Sequence, residues 1–501
     1  MKNSSMHNAI LRYACATVAL TGMFAPAAMA QATHARASQA QPQQAQPWTK
    51  IPIPPLPAFH PQQPKRIVLA NGLTIFLQED HELPLIDGFV LIRGGSSDEP
   101  ASKAGMLDLY SQAWRTSGTA KLNGDQMDDI LEAKAAKIET ANDDDSTSLT
   151  WSCLSRDFDS VFGMAADLLL HPQFRADKLQ LAQQQEETGI IRRNDSASAI
   201  ARRKALQLAY GQNNPYARIP EFATVQAVTL ADFDQWHART VAPANMIIGV
   251  TGDFDSAAME QKLRAAFGSL PRGTEFAPAP KSFTPAQNGV YFVQKDDVDQ
   301  SNIWLVGLGT ERNNPDYYAL TVMNEIFSGG FGSRLFQSVR TRLGLAYSVS
   351  GAYGADYGHP GIFYVAAGTK SSSTVQAIQA MLQQVRALKT QPPTADEMSK
   401  AKDQILNSYI FHYDSRAKIL REQANLAFYN YPLDFLDQYR AGIERVTAAD
   451  VTRVAQKYVH ASKLATLVVG NAQQFGTPLD TLGPVKTMDI TIPLPPSLQG
   501  Q

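Results

Sequence analysis

The chain is nearly devoid of cysteine. Of two cysteines in 501 residues, Cys15 falls in an N-terminal segment with the make-up of a leader, which leaves Cys153 alone in the remainder. A single thiol excludes an internal disulfide, a cysteine-ligated zinc and an iron–sulfur cluster. Histidine is also sparse. None of the nine (His7, His34, His60, His81, His171, His237, His359, His412, His460) lies three to five residues from another, so no helix presents a histidine pair for a metal. Excess charge is missing too: 45 Lys and Arg against 47 Asp and Glu give a net charge of -2, with no electrostatic basis for nucleic acid as a partner. After the leader no run approaches the ~20 apolar residues of a membrane span. There is no G-x-S-x-G elbow and no G-x-x-x-x-G-K-[ST] loop, and Gly329-Gly330-Phe331-Gly332 does not follow a strand as a dinucleotide site requires.

What is present begins with an export signal. Lys2 and Arg12 supply charge, Tyr13 to Phe24 is mostly apolar, and Ala28-Met29-Ala30 offers a small-x-small cleavage site. Residues 1–30 therefore read as a signal peptide, with export to the periplasm expected. Residues 31–64, rich in Gln, Ala and Pro, read as an extended linker.

From Ile67 onward the order of elements occurs twice. The first copy runs strand Leu73–Leu77, charged turn QEDHEL, strand Ile86–Ile92, polar loop GGSSDEPASK and an amphipathic helix. The second runs strand Val290–Val293, turn QKDDVD, strand Ile303–Leu308, loop GTERNNPDY and another helix. Val228-Thr229 with Asp232 leads to NMIIGVTGDF, and Val446-Thr447 with Asp450 leads to LATLVVGNAQQF, an offset of about 218 residues. So long a period means duplicated domains: 65–272 and 289–501, joined by a Pro/Ala-rich linker at 273–288. Long helices over Asp177–Arg193 and Ala395–Phe411 make each half α+β, a mostly antiparallel sheet with helices packed on one face. Two such halves suggest a clamshell with a chamber between them.

The most informative stretch is SGGFGSRLFQSVRTRLGLAYSVSGAY, Ser328 to Tyr353. Ser333 opens a helix and Gly344 stops it before a strand. Leu335, Phe336, Val339 and Leu343 form its apolar stripe, leaving Arg340 to point elsewhere, with Tyr347 seven residues on. A guanidinium and a phenol at that spacing can converge on a main-chain carbonyl. Taken alone, the stretch reads first as a solvated arginine and a core tyrosine, since isolated residues of these types are usually structural. His81, in EDHEL, reads as a charged hairpin tip, and Asn142-Asp143-Asp144-Asp145 as a turn, because it lacks the ligand spacing of a calcium loop.

NGLTIFLQEDHELP, RGGSSDEPASKAG leading into a helix, GSRLFQSVRTRLGLAYSV and the duplicated layout together resemble the pitrilysin/insulinase family of zinc peptidases, over roughly Ile67 to Phe475. The family's catalytic helix carries an inverted H-x-x-E-H motif. The resemblance places that motif on Asp108 to Gln112, where Asp108 stands for the first histidine, Ser111 for the glutamate and Gln112 for the second histidine. The third ligand position falls on Gly189, with Glu186 and Glu187 one turn earlier. The helix keeps its pattern: Met106, Leu107, Tyr110, Ala113 and Trp114 on a buried stripe, with Asp108, Ser111, Gln112 and Arg115 opposite. The resemblance also implies a backbone-binding role for Arg340 and Tyr347, which match the family's substrate-holding pair. It implies an exported, non-catalytic subunit of a heterodimeric zinc metallopeptidase. Such a subunit binds no zinc itself and works on peptides or unfolded proteins beside a homologous partner that bears H-x-x-E-H and the zinc. A stand-alone peptide-binding or scaffold protein and an active peptidase with unusual ligands are the alternatives.

Overall fold

The computed structural model describes residues 61–495. The expected signal peptide and all but the last residues of the expected 31–64 linker lie outside that range. The first half carries six strands: β1 (Lys65–Val68), β2 (Thr74–Glu79), β3 (Leu85–Arg93), β4 (Lys137–Asn142), β5 (Ser146–Leu154) and β6 (Met246–Gly252). They form one sheet in the order β1-β2-β6-β3-β5-β4, in which β2 and β6 run parallel and every other pair antiparallel. Its helices are α1 (Met106–Ser117), α2 (Gly124–Ala133), α3 (Phe158–Leu170), α4 (Ala176–Arg192), α5 (Ala197–Tyr210), α6 (Phe222–Gln226), α7 (Leu230–Thr240) and α8 (Ser256–Phe267).

The second half repeats the plan. Strands β7 (Gly289–Gln294), β8 (Gln300–Leu308), β10 (Ser348–Tyr353), β12 (Ile362–Lys370), β13 (Ala465–Gly470) and β14 (Val485–Thr487) form a sheet in the order β10-β12-β8-β13-β7-β14. The short β9 (Thr310–Glu311) and β11 (Ala355–Asp356) pair beside it. Helices α9 (Tyr317–Ser328), α10 (Thr374–Thr390), α11 (Ala395–Tyr409), α12 (Arg416–Phe428), α13 (Phe435–Arg445) and α14 (Ala448–Tyr458) complete it. The α+β reading and the duplication expected from sequence are thus the architecture found. The repeated Thr-x-x-Asp has a local cause: Thr229 with Asp232 and Thr447 with Asp450 are capping boxes that open α7 and α14, each satisfying backbone N–H groups that the first turn leaves free.

Burial patterns follow from the layers. Strands β5 and β12 alternate between buried and half-buried positions, as strands with one packed face do. Strands β6 and β13, MIIGVTG and ATLVVG, are buried at every residue. A continuous apolar run of this kind needs cover on both faces. One face of each sheet carries the half's own core, around Trp114 and Phe233 in the first and Met323 and Met381 in the second.

The other face is covered by exchange, which the sequence does not announce. From the first half, α5 sets Ile200, Ala201, Ala205 and Leu208 against Val293, Val306, Leu467 and Val469 of the second sheet. From the second half, α12 sets Leu420, Ala424 and Phe428 against Phe76, Phe89, Leu91 and Ile247 of the first. At the crossing of β3 and β6, Gly249 is required: a Cβ there would lie 2.2 Å from the Phe89 ring.

The join between the halves is tied down. Thr284 and Ala286 donate their N–H groups to the carbonyls of Tyr210 and Leu208 at 2.9 and 2.8 Å. Lys281 pairs with Asp98 at 3.1 Å and donates to Ser97 Oγ at 2.6 Å. Nearby, the His359 ring of the second half stacks on Tyr216 of the first, centres 3.8 Å apart. Tyr216 in turn donates to Asp145 at 2.8 Å. Asp143, Asp144 and Asp145 form the turn between β4 and β5, as read from sequence, and their carbonyls accept from Ser96, Ser97 and Gly94.

Candidate functional site

Helix α1 starts at Gly105, whose φ of 95° is left-handed and favours glycine, and where a Cβ would meet Pro220 Cβ at 2.9 Å. The buried Glu99 carboxylate closes that end, accepting from the N–H groups of Gly105 at 2.8 Å and Leu107 at 3.0 Å. A negative group at a helix N-terminus meets its unpaired donors and the positive end of its dipole. Burial nevertheless drives the Glu99 pKa up to about 7, against those two donors and with help from the charge of Asp108.

Asp108 and Gln112 are exposed on the outer face of α1, as their spacing implies, while Met106, Leu107, Tyr110, Ala113 and Trp114 are buried. Ser111 differs from expectation: it is buried, because Asn142 at the end of β4 folds over it. Asn142 accepts from Ser111 Oγ at 2.8 Å and donates its Nδ2 to Asp108 Oδ1 at 3.0 Å. Of the α4 residues, Gly189 is exposed, with open space where a side chain would stand. Glu186 lies within electrostatic reach of Asp108. Burial and that neighbouring charge both raise its pKa. Glu187 is engaged elsewhere, accepting from Gln226 Nε2 at 2.7 Å. His81 sits in its exposed turn between Asp253 and Glu79, at 2.8 and 3.5 Å.

These donors do not fit a water-activating zinc. Such a site takes three protein ligands, usually with imidazole among them, and keeps a carboxylate free as general base. Here the aspartate and serine are bonded to Asn142, the glutamine offers an amide, and the third position has no side chain. No sequence motif marks Glu99 or Asn142, although an acid shortly before a Gly-led helix is a recognisable capping signal.

The second locus lies where β10 meets a helical turn. Arg334 anchors the turn, its guanidinium held by both oxygens of Glu397 at 2.6 and 2.7 Å and by the carbonyl of Gln391 at 2.8 Å. Arg334 holds the Glu397 pKa down, to about 2. Residues Phe336–Arg342 then form a π-helical turn. The Leu343 N–H bonds to the Ser338 carbonyl at 3.1 Å, five residues back. A π turn fits one extra residue per turn, which shifts the phase of the side chains. The expected stripe is corrected accordingly: Leu335 and Val339 are buried, but Phe336 is half-buried and Leu343 is 49% exposed. Gly344, with φ 62°, ends the turn.

This geometry brings Arg340 and Tyr347 together. The Arg340 guanidinium lies 5.4 Å from the centre of the Tyr347 ring and 4.8 Å from that of Phe336. Among the described residues, no acceptor holds that guanidinium. The core-tyrosine reading fails, since Tyr347 is 83% exposed. Its N–H bonds to the Gly368 carbonyl at 3.2 Å, fixing it beside β12 just before β10, the edge strand of its sheet. Phe331, 74% exposed, packs edge-on against Phe336 with centres 4.9 Å apart. The pair therefore sits in an open patch with apolar surroundings. Two cavities between the halves, of about 430 and 710 Å³, are lined by groups such as Asp145, Tyr216, His359 and Tyr429, and neither is lined by Arg340, Tyr347, Asp108 or Gln112.

Comparison with known proteins places the fold in a family. The family described as "Insulinase (Peptidase family M16)" matches residues 76–218, and "Peptidase M16 inactive domain" matches residues 227–405, together more than half of the chain. An uncharacterized zinc protease of Mycobacterium leprae is 26% identical over 327 residues, 64% of this chain and 73% of that one. The non-peptidase homolog YmxG of Helicobacter pylori is 22% identical over 407 residues, 80% of this chain and 92% of that one. Among solved structures, the peptidase M16 inactive domain from Pseudomonas fluorescens superposes with a TM-score of 0.74 at 23% identity, covering 83% of this chain and all of that one. The periplasmic protease PqqL from Escherichia coli gives 0.69 at 14% identity, over 82% of this chain and 46% of that one. The likenesses to solved structures are likenesses of fold. With the matched families and the duplicated sheets taken together, the chain belongs to the M16 (insulinase) peptidase family.

Proposed function

We infer that this chain is the non-catalytic subunit of a two-chain zinc peptidase, exported to the periplasm and acting on peptides or unfolded proteins. The observation that carries the reading is the contrast between its two loci. Asp108, Ser111, Gln112 and Gly189 stand where the family's metal ligands and base belong and do not fit zinc, whereas Arg340 and Tyr347 are adjacent and have no competing acceptor. An electrostatic grip works best away from water, because solvent competes for the same donors. Arg340 and Tyr347 lie in the open, beside exposed Phe331 and Leu343, so a second chain covering the patch would complete the site. In that site Arg340 donates to a peptide carbonyl, and Tyr347 to the oxygen that becomes negative as water attacks. Zinc and general base come from the H-x-x-E-H partner. The domain bounds 65–272 and 289–501, and cleavage after residue 30, belong to the same proposal.

A second reading, a stand-alone peptide-binding protein of this fold, is equally compatible with a relative named as a non-peptidase homolog. Co-expression with a homologous chain carrying H-x-x-E-H, followed by peptide-cleavage assays of each chain and of both, separates the two. Cleavage that needs both chains is the expected result. A partner that is equally fast alone rejects the subunit role.

A further inference from the structure

Away from both loci, the second half carries an open cavity of about 460 Å³ between the β9–β11 edge and helices α11, α12 and α13. Its walls are mainly aromatic, with Tyr317, Tyr357, Tyr409, Tyr413 and Tyr439 among them. Tyr409 stacks on Tyr439 at 4.5 Å, and Tyr413 donates to the Tyr409 hydroxyl at 3.0 Å. Burial raises the pKa of these phenols, to about 12 for Tyr413, so near neutral pH they remain hydrogen-bond donors.

Arg312, from the loop GTERNNPDY, is the cation of this cavity. Its own N–H bonds to the Asp356 carbonyl at 2.8 Å, which fixes the residue at the cavity edge. Its guanidinium lies 3.7 Å above the Tyr357 ring, which itself stacks on Tyr429 at 4.9 Å. The buried Arg312 Nε has no hydrogen-bond partner, and no carboxylate pairs with this guanidinium among the described residues. Leaving a buried charged donor unmet carries a penalty, which a ligand bearing an acceptor would relieve.

Three other charged groups reach the cavity. Arg421 rests on the Phe89 ring at 3.6 Å, again with no carboxylate partner among the described residues. Lys418 is already paired with Asp414 at 2.7 Å. Glu422 is the only carboxylate on the lining and accepts from the Tyr357 hydroxyl at 3.0 Å. Two unpaired guanidinia against one carboxylate leave room for one negative charge. A planar guanidinium fork fits a carboxylate or a phosphate, but Glu422 on the same cavity penalises a dianion.

We propose that this cavity binds an organic monocarboxylate with an aromatic body, its carboxylate on Arg312 and its ring among the tyrosines. A free aromatic acid and a peptide ending in an aromatic residue both supply that chemistry. The proposal stands independently of the subunit reading, since it uses neither Arg340, Tyr347 nor a partner.

Titration calorimetry of the full chain with N-acetyl-L-phenylalanine and with its neutral amide tests it. The acid should bind at least tenfold more tightly, Arg312→Gln should abolish that preference, and Glu422→Gln should strengthen acid binding several-fold by removing a repelling charge. A peptide ending in phenylalanine, run beside phenylacetate, tells the two sources apart, and binding of either supports the site. Equal affinity for acid and amide, no binding of any probe, or a preference that survives Arg312→Gln would overturn it. Should Arg312→Gln not fold, unchanged or weaker acid binding by Glu422→Gln overturns it instead.

Discussion

The Arg340 guanidinium and the Tyr347 ring lie 5.4 Å apart across a helix stop, one on a π turn and the other just before an edge strand. The π turn shifts the chain's phase, turning Leu343 outward and leaving Arg340 beside the tyrosine. If Tyr347 is the oxyanion donor of an assembled peptidase, Tyr347→Phe should lower kcat by about 10²–10³ with KM little changed. Steady-state kinetics of the two-chain complex measure this, and an unchanged kcat removes the role.

The anchor of that turn is the Arg334–Glu397 pair. Glu397→Gln should destabilise the chain by on the order of 1 kcal/mol, the pair being partly solvated, and loosen the Phe336–Arg342 turn. Because the folded pKa is depressed to about 2, the pair's contribution is full above the ordinary carboxyl range and is lost as pH falls from about 4.5 through about 2. Amide exchange of residues 336–345 at neutral and acid pH reads both effects.

Glu99 carries the opposite sign. Its folded pKa is raised from 4.5 to about 7, so the native state holds a proton that the unfolded chain releases in that window. Stability should therefore fall as pH rises from 4.5 to 7, through this group alone. Glu99→Gln should flatten that part of the profile in thermal melts compared across pH. An identical slope in wild type and variant would mean that another group sets it.

The exchanged helices predict cooperativity. Leu420 belongs to α12 but is buried on the first sheet. Leu420→Ala should cost about 2–5 kcal/mol, and the melt should remain a single transition by both tryptophan fluorescence and circular dichroism, because each half completes the other. Two separated transitions would argue against the exchange as a stabilising device.

Much of this is legible in the sequence, for identifiable reasons. Strands β2, β3, β7 and β8 announce themselves by short apolar runs between charged turns, and α7 and α14 by Thr-x-x-Asp boxes, because these signals are local. The buried stripe of α1 follows from a regular 3.6-residue period. The stripe expected through Leu343 fails because a π turn breaks that period, and nothing in the residues SVRTRLG forces the extra residue. Ser111 reads as a residue of an open face because Asn142, which buries it, arrives from a distant strand. The use of α5 and α12 is invisible for a similar reason: an apolar helix stripe says that a partner exists but not which sheet supplies it. The Arg312 cavity is equally hidden, since its wall comes from separate helices.

That exchange also bears on how the chain is made. The face of β2, β3 and β6 that α12 covers is complete once Gly252 has left the ribosome, whereas Leu420, Ala424 and Phe428 emerge only near the end of synthesis. Until then the nascent first half displays Phe76, Phe89, Leu91 and Ile247 to its surroundings, a natural docking surface for a chaperone and a natural starting point for aggregation of any prematurely terminated chain.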